Sequence, residues 1–234
     1  YDAANRLTTV TDWDGRITTY AYDAAGRQTG IGYPNGATAA YTYDNADRLT
    51  GLAHSHPTQG AIGSFTYTLD AVGNRLTMVD GDGTTTYTYD VLNRLARVVY
   101  PGGEQVDYTY DPMGNRLTLT SSASGTTTYT YDDADRLLTA GAVAYTWDDN
   151  GNLTGKGGAT YAWDALDRLT SITAGGVTTT YAYNGDGART GKSAGGATTS
   201  YLQDAAAPLP LVLAETAAGQ TSRYVYGNDL LLQL

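Results

Sequence analysis

Along most of this chain, polar and apolar positions alternate with period two. In Thr85-Thr86-Tyr87-Thr88-Tyr89 the two tyrosines fall on one face, with Thr86 and Thr88 on the other. That alternation of β-branched and aromatic residues is the pattern of a half-buried β-strand, and no helical periodicity competes with it. Asp90-Val91-Leu92-Asn93 follows as a turn signal. An Asp carboxylate there can bond backbone N–H groups two residues on, and Asn tolerates a left-handed conformation. Arg94-Leu95 opens a return strand, and a second set of turn formers, Tyr100-Pro101-Gly102-Gly103, sends the chain back.

The same order recurs from end to end: Tyr22-Asp23 to Arg27, Tyr43-Asp44 to Arg48, Tyr89-Asp90 to Arg94, Tyr110-Asp111 to Arg116, Tyr131-Asp132 to Arg136 and Trp163-Asp164 to Arg168. Tyr1, Leu69, Trp147 and Tyr183 fill the aromatic slot in further copies, and Gln203 and Tyr226 do so more loosely. Self-similarity at a fixed period outranks length as a guide to architecture. The expected fold class is therefore all-β, with tandem antiparallel β-hairpin repeats of two strands and two turns. A sheet of so many strands does not stay flat, so it is expected to curve or spiral, as a solenoid or as part of a barrel wall. The array is expected over residues 1–202, with 203–234 a degenerate terminal repeat whose apolar end, Leu230 to Leu234, packs against whatever follows.

The first turn reads as having two lengths. Asp23 and Arg27 are four positions apart, whereas Asp70 and Arg75, like Asp111 and Arg116, are five apart, with Gly73-Asn74 or Gly114-Asn115 before the arginine. An extra residue beside a glycine is what a β-bulge inserts, so the longer copies are expected to carry bulges that add twist.

Composition adjusts this picture in three ways. The aromatic set is 21 Tyr against one Phe. Because each Tyr hydroxyl needs water or a partner, the aromatic face is expected to be half wet and the sheet thin. A formal net charge of −10 repels phosphate backbones and argues against a nucleic-acid partner. The lack of cysteine leaves hydrogen-bonded sheet and packing to hold the fold. No apolar run reaches a membrane span, and the opening on Tyr1 in mid-repeat suggests a piece of a longer protein.

Candidate chemistry is weighed against that scaffold. The recurrent Asp and Arg are read as geometry, with Asp shaping the turn and Arg lying over ring faces. Asp12-Trp13-Asp14-Gly15, Asp80-Gly81-Asp82-Gly83 and Asp148-Asp149-Asn150-Gly151 lack the distal Glu of a calcium loop. His54 and His56 show no third metal ligand. With no cysteine and no nucleophile elbow, no catalytic residue, cofactor or metal is expected. Asn152-Leu153-Thr154 matches a glycosylation sequon but fills an ordinary slot of the repeat.

The motif Tyr-x-Tyr-Asp-x-x-Gly/Asn-Arg-Leu-Thr, as in Tyr43-Asp44 to Thr50 and Tyr110-Asp111 to Thr118, resembles the YD repeat of Rhs polymorphic toxins, Tc toxin shell subunits and teneurins. The resemblance implies a long antiparallel sheet that spirals into a hollow shell, enclosing in bacterial members a C-terminal toxic polypeptide. Arg223-Tyr224-Val225-Tyr226-Gly227 resembles the segment before the Rhs core-associated region, which would carry an Asp-based self-cleavage. Asp111-Pro112-Met113-Gly114 only superficially matches that region's Asp-Pro-x-Gly motif, since Asp111 is the YD Asp.

The expected function is a non-catalytic shell segment of a bacterial secreted or surface protein. Its partner would be the C-terminal toxin or effector region of the same polypeptide, together with other shell or secretion components. The alternative is a cell-surface carbohydrate-binding or adhesion module, with Trp13, Trp147 and Trp163 stacking on sugars.

Overall fold

A computed structural model describes residues 1–204 and 211–226, and the backbone of 230–233. The side chains of Leu230 to Leu234 lie outside the described residues. The expected all-β class is what is found: the described residues form strands and turns with no helix. The chain divides into two compact units, 1–127 and 128–234, with the division inside strand β12 (Gly125–Tyr131).

The first unit holds β1 (Thr9–Thr11), β2 (Ile17–Tyr22), β3 (Gln28–Gly32), β4 (Thr38–Tyr43), β5 (Leu49–His56), β6 (Gly60–Leu69), β7 (Arg75–Asp80), β8 (Gly83–Tyr89), β9 (Leu95–Val99), β10 (Gln105–Tyr110) and β11 (Arg116–Ser121). From β2 to β11, each strand pairs antiparallel with the one before it in sequence. In the second unit, β12 is followed by β13 (Leu137–Ala140), β14 (Val143–Trp147), β15 (Leu153–Lys156), β16 (Ala159–Trp163), β17 (Leu169–Ala174), β18 (Val177–Tyr183), β19 (Arg189–Ala194), β20 (Ala197–Asp204), β21 (Leu211–Ala217), β22 (Gln220–Tyr226) and β23 (Leu230–Gln233). These too pair antiparallel in sequence order. The meander thus continues past position 203 through β21 and β22.

Period-two patterning divides each strand between two faces. In β8, Thr85, Tyr87 and Tyr89 are buried or half-buried, while Thr84, Thr86 and Thr88 are exposed. The exposed face carries cross-strand hydroxyl pairs: Thr68 with Thr77 and Thr109 with Thr118, each at 2.6 Å, and Thr130 with Thr139 at 2.7 Å. Strand glycines fit under this face. A Cβ on Gly51 would stand 2.5 Å from Thr42 Oγ1. The tyrosine face is only half dry, because among the described residues the buried apolar ones are few and mostly small: Tyr20, Ala39, Val98, Val106 and Ala188. The sheet is as thin as the tyrosine-rich composition predicts.

The bulge expectation is corrected. At the Asp turns from Asp23 to Asp164 the register slips by one residue on the return strand, whichever spacing the arginine has, whereas the turn at Asp12 between β1 and β2 shows no slip. Tyr22 pairs with Gln28 while Ala21 pairs with Gly30, and Leu69 pairs with Arg75 while Thr68 pairs with Thr77. The turn has one length. In the apparently longer copies Asn74 or Asn115 stands where the others place Arg, and Arg75 or Arg116 is the first residue of the next strand.

The connections at the other end of the strands do vary. In the second unit they include tight two-residue turns, such as Gly157-Gly158 between β15 and β16, with φ of 54° and 89°. That left-handed pair is a hairpin geometry open to Gly-Gly at little steric cost.

Candidate functional site

The recurring cluster forms at the Asp turn. In the turn at Asp23, the carbonyl oxygen of Asp23 accepts from the N–H of Gly26 (3.1 Å), and its own N–H donates to the Arg27 carbonyl (3.0 Å). Its carboxylate spans the loop: Oδ1 accepts from the N–H of Ala25 (3.0 Å) and of Arg27 (2.9 Å), and Oδ2 accepts from Arg27 Nε (2.6 Å). Gly26, at φ +85°, supplies the left-handed residue. Asn93 takes that role at φ 59° in the turn at Asp90. This is a type I turn closed by a left-handed residue.

The arginine then reaches into the following repeat. Arg27 Nη1 donates to the Asp44 carbonyl oxygen (3.0 Å) and to Asp47 Oδ1 (2.7 Å), and its guanidinium lies 5.0 Å from the Tyr43 ring centroid. Tyr43 answers by donating its hydroxyl to the Gln28 carbonyl oxygen (2.7 Å). These two repeats are therefore locked together by one arginine going forward and one hydroxyl coming back. Arg94 repeats this on Asp111 and Tyr110, and Tyr110 donates to the Leu95 carbonyl (2.8 Å). Arg168 repeats it on Asn184 and Tyr183, and Tyr183 donates to the Leu169 carbonyl (2.8 Å). Within their own turns Arg48, Arg94, Arg136 and Arg168 hold Asp44, Asp90, Asp132 and Asp164 through Nε at 2.7 to 2.8 Å. Only a planar fork can serve two acceptors at once in this way. Tyr131 is half-buried at the end of β12, paired with Leu137.

Arg116 departs from this scheme. Asp111 is held by Asn115, through its backbone N–H (2.8 Å) and its Nδ2 (3.1 Å), and Arg116 lies toward the Tyr108 ring at 5.9 Å. Arg75 likewise stands 4.3 Å from the Tyr67 ring, and Arg189 stands 5.6 Å from Tyr181 and 5.2 Å from Tyr201. Two arginine registers thus serve two tyrosine rows. Aligned on Arg, the two registers look like one turn of two lengths. The spacing of four from Asp to Asn74, Asn115 and Asn152 was the signal that separates them.

Two of the tryptophans named as carbohydrate candidates take the tyrosine role. The indole N–H of Trp147 donates to the Leu137 carbonyl and that of Trp163 to the Leu153 carbonyl, each at 2.8 Å. Both rings are half-buried. Trp13 lies in the turn after β1, in the other unit, and is 65% exposed. Gln203, only loosely assigned to the repeat, also fills the tyrosine slot, with Nε2 donating to the Arg189 carbonyl (2.9 Å).

The turn carboxylates sit below their ordinary range. For Asp44, Asp90, Asp132 and Asp164 the main cause is the backbone N–H of the arginine four residues on, opposed by desolvation and reinforced by the guanidinium. They are charged structural acceptors.

His56 Nε2 lies 2.8 Å from the Asn35 carbonyl, and its Nδ1 accepts from the N–H of Thr58 (3.3 Å), so its ring bridges two loops. The Asn152 amide of the sequon donates to Asp148 Oδ2 (3.1 Å) and Asp167 Oδ1 (2.7 Å). Among the described residues, no group of three or more His, Asp or Glu could hold a metal ion.

A hairpin repeated in tandem and locked copy to copy through Tyr, Asp and Arg defines a YD-repeat wall protein. Residues 73–203 match the Teneurin YD-shell family and residues 1–38 match the RHS repeat, and the chain belongs to the teneurin YD-shell family. Its fold is that of solved Tc toxin structures. Against the Photorhabdus luminescens Tc holotoxin pore the TM-score is 0.67 at 20% identity, covering 97% of this chain and 15% of that one. Against the TcdB2–TccC3 crystal structure it is 0.66 at 21% identity, with the same coverage of 97% and 15%. The chain thus spans about 15% of the length of these relatives. Comparison with curated proteins gives no match.

Proposed function

We propose that this chain is a stretch of wall in a bacterial secreted or surface protein, and that the wall encloses a C-terminal toxin or effector region of the same polypeptide without catalysing a reaction. The observation that carries this reading is the forward and return lock, which recurs at Arg6 with Tyr22 (4.9 Å), Arg27 with Tyr43 (5.0 Å), Arg94 with Tyr110 (4.7 Å) and Arg168 with Tyr183 (5.1 Å). Such an element extends a wall by nearest-neighbour contacts. It engages the recurrent charged side chains in scaffold bonds. The membership of the YD-shell family and the Tc toxin fold support the reading, as does the likeness to the solved TcdB2–TccC3 structure.

Limited proteolysis of the full-length parent tests it. The region that follows the repeats should resist protease in the intact parent and be digested when expressed without the repeats. Equal digestion in both settings would remove containment as the function.

A further inference from the structure

In the first unit the turns at Asp23, Asp44, Asp70, Asp90 and Asp111 lie at the same end of the strands, since each joins an even-numbered strand to the next odd-numbered one. The first two present small or polar residues at the tip, Ala24-Ala25 and Asn45-Ala46. Three consecutive turns differ. They present Val72, then Val91 with Leu92, then Met113, with Val91 98% and Met113 75% exposed. A single exposed apolar side chain needs no explanation, and Leu166 is such a case, alone between turns tipped by Asp149-Asn150 and Gly185-Asp186. Three in succession make a row.

The row is braced. Asn74 Nδ2 donates to Asn93 Oδ1 (2.9 Å), tying the first turn to the second, and Arg94 Nη1 donates to the Asp111 carbonyl (3.0 Å), tying the second to the third. The two outer turns are also the ones in which Asn replaces Arg. Asp70 and Asp111 are held by Asn74 and Asn115, with no guanidinium ion-paired to either carboxylate among the described residues, whereas Asp90 is paired with Arg94 at 2.7 Å. The row is therefore apolar at its tips and flanked by two carboxylates that, among the described residues, accept only from amide groups and form no ion pair, the nearby guanidinium groups of Arg48 and Arg94 being bonded to the Asp70 and Asp111 carbonyls.

We propose that this row docks a basic amphipathic α-helix of a partner, lying along the turns. Successive turns are two strands apart, roughly 10 Å at ~4.8 Å per strand. One heptad of α-helix advances about 10.5 Å, so apolar residues at i, i+7 and i+14 meet the three tips in register. Lysines or arginines beside that stripe meet Asp70 and Asp111. A second copy of this chain fits the row poorly, because it brings the same carboxylates and a net charge of −10.

The probe is a fluorescein-labelled synthetic helix of about 18 residues with a leucine stripe and lysines elsewhere. Its counterpart carries glutamate in place of lysine. Fluorescence anisotropy at physiological salt should show saturable binding of the lysine helix only. Affinity should fall at least tenfold in the V72A/V91A/L92A/M113A variant, whose tips become like those of neighbouring turns, and severalfold in D70N/D111N, since Asn already opens the turn at Asn184. Leu166→Ala should leave binding unchanged. Circular dichroism confirms folding of each variant, and Met113→Ala alone serves if the quadruple variant unfolds. The proposal is overturned by no binding, by equal binding to the tip variants, by equal binding of the glutamate helix, or by a dimer in sedimentation that those variants abolish.

Discussion

The guanidinium of Arg94 stands 4.7 Å from the ring centroid of Tyr110 in the next repeat, while the Tyr110 hydroxyl donates to the Leu95 carbonyl beside that arginine, at 2.8 Å. Arginine holds three things here: the Asp90 carboxylate, the Asp111 carbonyl and the ring. Lysine offers one point charge on a flexible stem and cannot hold all three. Arg94→Lys should therefore lower the melting temperature by about 2–4 °C and speed hydrogen exchange at the turns on either side of β9 and β10. Unchanged exchange there would mean that the forward half of the lock contributes nothing.

The return half is tested separately. Tyr43→Phe removes the hydroxyl that reaches the Gln28 carbonyl and keeps the ring under Arg27. The expected loss is about 1 kcal/mol in denaturant unfolding, the net worth of one such hydrogen bond.

Leu69 occupies the aromatic slot but offers neither ring nor hydroxyl, although Arg48 already reaches the Asp70 carbonyl at 2.8 Å. Leu69→Tyr should supply the ring for Arg48 and a hydroxyl for the Leu49 carbonyl, and so raise the melting temperature. A fall would show that the 60–69 strand requires the aliphatic side chain.

The turn carboxylates fix the response to acid. Asp44, Asp90, Asp132 and Asp164 have folded-state pKa values below their ordinary ones, because the backbone N–H four residues on, and then the guanidinium, favour the charged form over the opposing desolvation. The unfolded chain therefore binds more protons on acidification. Their contribution is complete above about pH 4 and is lost as pH falls through the depressed folded values. Thermal midpoints should be flat in carboxylate terms above pH 5 and drop steeply below pH 4, less so in Asp90→Asn. A midpoint that held level to pH 2.5 would contradict this.

Gly26 has φ +85° at the left-handed end of its turn. Gly26→Val places a β-branched side chain there and should destabilise by about 1–2 kcal/mol. Gly26→Asn should be tolerated, since Asn93 already holds φ 59° at the matching position.

Much of this protein was legible in its sequence, because strand and turn are local properties. Alternation in Thr85 to Tyr89 determines which face each ring takes, and Asp followed three residues later by Gly or Asn determines the turn. Repetition of both settles a meander of hairpins, and a chain of Tyr-Asp motifs points to the family. What lay beyond the sequence were relations between repeats. The reach of Arg27 to the Asp44 carbonyl and the return of the Tyr43 hydroxyl connect residues 15 to 17 positions apart, and only strand pairing brings them together. The same holds for the two arginine registers. Arg94 and Arg116 look alike in the motif, yet because the turn has one length Arg94, four residues after its Asp, closes the loop while Arg116, five after, opens the strand, so they meet different rings. Trp147 and Trp163 changed meaning for the same reason: an indole N–H aimed at a carbonyl one hairpin away becomes a substitute for a tyrosine hydroxyl only once the sheet has formed.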